Sequence, residues 1–325
     1  MSKRLGLICA VLLFCGVSHA AEDFYTALEK TENWLKQRYE PTSVVYRTRQ
    51  RKLAKIADSE TSDAEKIAAL KKEFPEAFSP SAEAPAGAAG DKLTVALPNS
   101  AKLELVKVEA GTFSMGTRDS ENHDNGKGHW VTLTKDFYIG STEVTQTQYQ
   151  SVMGNNPSGF KGDDLPVEQV SWSDAMKFCA KLNETGKAPK GWKFTLPTEA
   201  QWEYAARGGN KSRDFIYSGS NDLEEVAWYK DNAGSKTHPV AQKRANELGL
   251  YDMSGNAWEW CLDLYESGYA RDPEFLVDNK GSYRVNRGGS WYCLAKSCRS
   301  VVRECDAPSF HDDDVGFRVA LVPVR

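Results

Sequence analysis

The sequence predicts a mixed helix-and-strand domain of low regular secondary-structure content, preceded by a short, charged helical segment. Three observations lead there. Beyond residue 100, short apolar stretches alternate with period two, a few stretches show helical spacing behind a capping residue, and the rest is rich in Gly, Asn and Asp. Period two marks strands with one buried face, and 3.6-residue spacing marks helices. An apolar fraction of 40% and nine Trp among 325 residues can fill a large core. The mixture fits no standard layered class by periodicity alone, and no internal repeat divides it.

The elements follow in order. Lys3 and Arg4 precede the apolar run Leu5 to Val17, and Ser18-His19-Ala20 ends in small residues, the pattern of a signal peptide over 1–20. The run is too short to span a bilayer, so the expected product is exported, periplasmic or secreted, with no membrane span after cleavage. Residues 21–78 read as a helical N-terminal segment. Phe24, Leu28, Trp34 and Leu35 sit near helical spacing and Ala64 to Phe74 repeats it, as in an amphipathic hairpin or a short coiled segment that spaces or docks the chain. Ser79 to Gly90 is rich in Pro, Ala and Gly, which places a flexible linker over 79–96 and the large domain over 97–325.

Inside that domain Leu103 to Val108 and Trp130 to Ile139 alternate as strands. Helices are expected over Thr145 to Met153, over Ser173 to Leu182 with Ser171 or Ser173 as cap, and over Thr198 to Ala206, where Thr198 and Gln201 have capping-box spacing. A net charge of −4 offers no basic footprint for nucleic acid, and the run Arg47 to Lys55 reads as a solvated helix face.

A set of motifs runs through the domain: Gly111-Thr112-Phe113-Ser114-Met115-Gly116, Glu143-Val144-Thr145, Val170-Ser171-Trp172 and Leu196-Pro197-Thr198-Glu199. Gly249 to Trp260, Arg287-Gly288-Gly289-Ser290-Trp291 and Gly316-Phe317-Arg318 complete it. In order and spacing, from Leu103 to Leu321, this set resembles the formylglycine-generating-enzyme, or sulfatase-modifying-factor, family. The resemblance implies an α+β fold of low regular content related to C-type lectin domains. It also brings three kinds of activity: copper-dependent oxidation of a cysteine to formylglycine, iron-dependent sulfoxide synthesis, and binding without turnover. Sulfoxide synthases carry iron-binding histidines on an N-terminal helical bundle, whereas residues 21–90 contain no His.

Cys293 and Cys298 follow the Arg-Gly-Gly-Ser-Trp motif, and two thiolates on one turn make a soft site suited to Cu(I). By the resemblance they would bind copper with a substrate thiolate completing the site, and Ser290 would stand beside them. The expected partner is an exported sulfatase-like polypeptide or another envelope protein. The chain departs from the family at Leu294, where the oxidases have His, and at Ser297, where they have Tyr. A second use of the thiols stays open. Signal cleavage would leave five cysteines, and Cys261 could bridge Cys298 or Cys179 could bridge Cys305.

Asp252 to Glu259 places two carboxylates and several turn carbonyls in one Gly-containing segment, and calcium takes six to eight oxygen ligands. The resemblance assigns a structural Ca²⁺ to Asp252, Gly255, Ala257 and Glu259. His123, His129 and His238 read as loop or packing residues. His311 with Asp312, Asp313 and Asp314 reads as a solvated loop near the groove. The alternative function is a non-catalytic, lectin-like binding module on the same fold.

Overall fold

The computed structural model describes residues 92–117, 128–266 and 283–324, together with 27–28, 31, 52–57, 59, 61–73 and 88–89. The expected signal peptide, most of the N-terminal segment, His123 and most of the Pro/Ala/Gly-rich stretch lie outside these residues. The chain forms two compact units, Met1–Ser81 and Ala82–Arg325.

In the first unit residues 52–57 are helical and α1 spans Asp63–Glu73. The Ser62 hydroxyl accepts from the Glu65 N–H while Glu65 Oε2 accepts from the Ser62 N–H at 2.9 Å, a reciprocal cap that satisfies two orphan donors at the helix start. Leu53 and Leu70 are buried, and Lys52 pairs with Glu73. Among the described residues no helix is long and apolar enough to cross a membrane.

Among its described residues the second unit holds three sheets. Strands β1 (Ala88–Ala89), β2 (Lys92–Ala96), β3 (Lys102–Val108), β6 (Phe137–Gly140), β7 (Trp192–Thr195) and β12 (Ala320–Pro323) make an antiparallel sheet in the order β1-β2-β3-β6-β12-β7. Strands β8 (Trp258–Leu264), β9 (Arg284–Arg287), β10 (Arg303–Asp306) and β11 (Val315–Gly316) form a second, in the order β10-β9-β8-β11, with β11 parallel to β8. Strands β4 (Gly111–Met115) and β5 (His129–Leu133) pair as a two-stranded ribbon.

The sequence of β2 corrects the linker boundary. Leu93 and Val95 alternate with exposed Lys92, Thr94 and Ala96 and are buried, so this stretch pairs with β3 instead of extending the Pro/Ala/Gly-rich segment. Composition shifts at residue 90, but period two already governs the next few residues.

Strand β6 shows how the core is arranged. Phe137, Tyr138 and Ile139 are all buried, which a strand achieves only when both faces of its sheet are covered. Tyr138 packs with Leu103, Leu105 and helix α3 (Trp172–Glu184), while Phe137 and Ile139 pack with Val106, Val108 and helix α4 (Glu199–Ala206). Helix α2 (Gln146–Met153) adds Tyr149, stacked on Phe178 at 5.6 Å between ring centroids, with Phe317 edge-on to Phe178 at 5.4 Å. Each fully buried ring of this kind contributes roughly 1.5–3 kcal/mol through apolar burial.

The three helices start where their caps dictate. Thr145 with Gln148, Ser171 with Asp174 and Thr198 with Gln201 each form a complete capping box. Ser171, of the two candidate serines, is therefore the cap of α3.

Candidate active site

Strand β9 delivers Arg287 into a turn in which Gly288 and Gly289 both take left-handed backbone angles, φ 101° and 79°. That reversal sets Ser290 at the start of the cysteine loop. The Cys293 N–H donates to the Ser290 carbonyl at 3.0 Å, and a 3₁₀ turn over Ala295–Cys298 closes the loop. Cys293 and Cys298 thereby share one small apolar cluster with Leu223, Val226, Ala227 and Tyr229. The structure brings together all three residues of the expected copper site.

The Ser290 hydroxyl is fully used. It donates to Asp314 Oδ2 at 2.7 Å, accepts from the Tyr292 N–H at 3.3 Å, and meets the Cys293 Sγ at 3.4 Å. Burial pushes the Cys293 thiol above its ordinary value, contacts with Ser290 and Trp258 oppose this, and the Asp314 charge adds to the rise. Cys298 is completely buried, its thiol directed at the Leu294 carbonyl at 3.9 Å, and burial raises it strongly. Both groups are thus thiols near neutral pH without a metal, and thiolate formation would accompany metal binding.

The cysteines correct the disulfide expectation. Cys179, Cys261, Cys293, Cys298 and Cys305 are all free. Cys261 points into the core around Trp202 and Val285, whereas Cys298 belongs to the separate cluster under the cysteine loop. Cys179 lies on the buried face of α3, and Cys305 is half-buried on β10.

Aromatic side chains flank the loop. Trp291 is edge-on to Phe160 at 5.6 Å and to Tyr292 at 5.5 Å, and its indole N–H donates to the Asp313 carbonyl. Tyr292 and Leu294 are strongly exposed. Phe160 is held by Glu168, whose two carboxylate oxygens accept the Gly159 and Phe160 N–H groups at 2.8 and 2.9 Å. Reading by sequence missed Phe160, Glu168 and the role of Asp314. Asp314 is not the solvated residue expected of an acidic run, since it is half-buried, bonded to Ser290, and its carbonyl accepts the Trp258 N–H.

The residues expected to hold calcium behave differently. Glu259 is fully buried, with Oε1 and Oε2 taken by Arg318 at 2.6 Å each and Oε2 also by the Trp202 indole N–H at 2.7 Å. Asp252 Oδ2 accepts the Ala241 N–H at 2.7 Å, which leaves Oδ1 as its one uncommitted oxygen. Glu143 lies in the same buried region and takes the Asn256 amide and the Ala257 N–H. Calcium needs six to eight oxygens, and a Glu259 bound to Arg318 is not a free ligand, so the four-residue set does not fit the ion as arranged. Among the described residues no group of three or more His, Cys, Asp or Glu is placed to hold a metal. Cys293 and Cys298, in contrast, share one apolar cluster under one loop, and thiolates are the donor type that soft metals such as Cu(I) prefer.

Two buried carboxyls set a pH dependence. Burial raises Glu168 to about 7, and burial with the neighbouring Glu199 charge raises Asp263 to about 7. Unfolded carboxyls titrate near pH 4, so above that pH the folded state holds protons that the unfolded state has released. Their stabilisation is complete below the unfolded value and is lost as pH rises through 7, with a slope of about 1.4 kcal/mol per pH unit for each group. Thermal melts are expected to show a melting temperature that falls between about pH 4 and 7 and levels off above, with a shallower fall in Glu168→Gln.

Comparison with known proteins places the domain in a family. The profile of the sulfatase-modifying factor enzyme 1-like domain matches residues 93–322. The chaperone protein LppX of Paenibacillus barcinonensis is 41% identical over 234 residues, covering 58% of this chain and 78% of that protein. The formylglycine-generating enzyme of Thermomonospora curvata is 32% identical over 183 residues, covering 49% of this chain and 56% of the enzyme, so the match spans little more than half of that relative. The solved Treponema denticola variable protein 1 superposes with a TM-score of 0.64 at 33% identity, covering 70% of this chain and 98% of that structure. A match over most of the chain, with the same fold and motif order, means that this protein belongs to the sulfatase-modifying factor enzyme 1-like family.

Proposed function

We propose that the protein is exported and acts on a polypeptide cysteine, as a copper- and O₂-dependent oxidase that produces formylglycine. One observation carries this reading: Cys293 and Cys298 lie on a single turn, with Ser290 against Cys293, beside an exposed aromatic flank. Copper held by the two cysteines would supply the redox chemistry with O₂. The chain's own residues do the rest. Trp291 and Phe160 shape the approach, Ser290 orients the Cys293 thiol, and the apolar bed under Cys298 excludes water. The relative named as a chaperone protein supports a polypeptide partner.

The test is titration of the purified protein with Cu(I), alongside Cys293→Ser, followed by incubation of a cysteine-containing sulfatase-motif peptide under copper and air. One-to-one binding that requires Cys293, and an aldehyde in the peptide, are the expected results. Absence of both would sink the oxidase reading.

Exposed Leu294 favours a second reading, a lectin-like module that binds in the same place without turnover. An apolar side chain stands there beside the two thiols and offers no proton donor or acceptor. Tight peptide or glycan binding without aldehyde formation would decide for it.

A further inference from the structure

We infer that Asp314 is a positioning residue: it takes the single hydroxyl proton of Ser290 and so turns the Ser290 oxygen to accept from the Cys293 thiol. The inference deepens the site assignment above and rests on the Cys293 loop being the working centre. A serine hydroxyl has one proton and two lone pairs. The proton is committed to Asp314 at 2.7 Å, and one lone pair takes the Tyr292 N–H at 3.3 Å. The contact at 3.4 Å with Cys293 Sγ must then run from the thiol to the oxygen. Ser290 is fully buried, so no exchange with bulk water offers it another arrangement.

Asp314 itself cannot drift. Its carbonyl accepts the Trp258 N–H at 2.8 Å, and the next residue, Val315, is in parallel register with Trp258. The β8–β11 pairing therefore fixes the Asp314 carboxylate relative to the cysteine loop, and Trp258 contacts Cys293 from the same strand. Without Asp314 the Ser290 proton would be released to point at the Cys293 sulfur. A neutral hydrogen bond is worth about 1 kcal/mol net, which is about fivefold in a rate.

The experiment measures iodoacetamide alkylation of Cys293 in the metal-free protein at one fixed pH, with the modified residue located by mass mapping. Asp314→Ala is expected to alkylate about fivefold faster than wild type. Asp314→Asn, whose amide oxygen can accept the same bond, should stay within about twofold. In a Ser290→Ala background the Asp314→Ala effect should vanish, because the two residues act as one unit. Equal acceleration in Asp314→Asn would mean that charge alone matters and would overturn the proposal. An effect that persists without Ser290, or no effect at all, would also overturn it. Asp314→Leu, similar in shape and without an acceptor, serves if the alanine variant does not fold. Cu(I) affinity measured on the same proteins separates the two claims: a wild type that binds no copper removes the oxidase reading, while the alkylation cycle still decides the role of Asp314.

Discussion

Replacing Arg318 by methionine is expected to cost about 3–5 kcal/mol, the range for removing one partner of a buried ion pair. Arg318 is completely buried and every arm of its guanidinium is used. Nε and Nη2 hold Glu259, Nη1 donates to the Gly140 carbonyl at 2.9 Å, and Nη2 also donates to the Tyr251 carbonyl at 2.9 Å. The charges of Glu143 and Asp252 act on the same cation. Loss of Arg318 would leave Glu259 with only the Trp202 indole among three buried carboxyls. Urea denaturation reads the loss directly. The double variant Arg318→Met/Glu259→Gln should recover a large part of it, because the damage comes from an uncompensated charge more than from absent contacts. A loss below about 1 kcal/mol would show that Glu259 is balanced by something other than Arg318.

Gly289→Ala is expected to damage the cysteine loop and the protein together. At φ 79° an alanine pays for a left-handed backbone, on the order of 1–2 kcal/mol. Its Cβ would also stand 2.8 Å from Cys298 Sγ, 3.0 Å from Cys298 Cα and 3.1 Å from the Ser297 carbonyl oxygen. Two of these are backbone atoms of the turn, so relief requires the turn to move and the thiol pair to separate. Gly249→Ala is the control, since its φ is 82° and no atom lies within 4 Å of the added carbon. Gly249→Ala should lower stability by about 1 kcal/mol and leave Cu(I) binding intact. Gly289→Ala should lose at least twice as much and bind Cu(I) at least about tenfold more weakly. Equal behaviour of the two variants would show that the turn tolerates displacement.

The sequence made the local devices of the fold legible. Thr198 with Gln201 has the spacing of a capping box at a helix start, and Leu103 and Leu105 alternate with exposed Lys102 and Glu104. The motif order gave the α+β, C-type-lectin-like fold and the pairing of Cys293, Cys298 and Ser290 in one place. What escaped was set by partners distant in the chain. Nothing near Glu259 shows that Arg318, 59 residues on, takes both carboxylate oxygens. Likewise Asp314 reaches Ser290, 24 residues away, only because the two-residue strand β11 pairs with β8, and a strand so short has no periodicity to read. Counting cysteines gave an odd number and suggested bridges, yet parity says nothing about which core a thiol enters. Leu93 and Val95 were hidden by the Pro/Ala/Gly-rich run just before them.

Strand β12 lies between β6 and β7, although it comes from the end of the domain. Arg318, just before it, reaches the Gly140 carbonyl across 178 residues. Among the described residues, the six-stranded sheet is therefore closed at its β6-to-β7 end only after the intervening chain has emerged from synthesis. Until then β6 and β7 have open edges, and the nascent chain exposes unpaired strands that invite wrong partners. Such non-local closure makes for slow folding, from milliseconds to seconds for comparable β-rich topologies. Maturation of this protein should accordingly be more sensitive to holding chaperones and to loss of strand β12 than its large buried core would suggest.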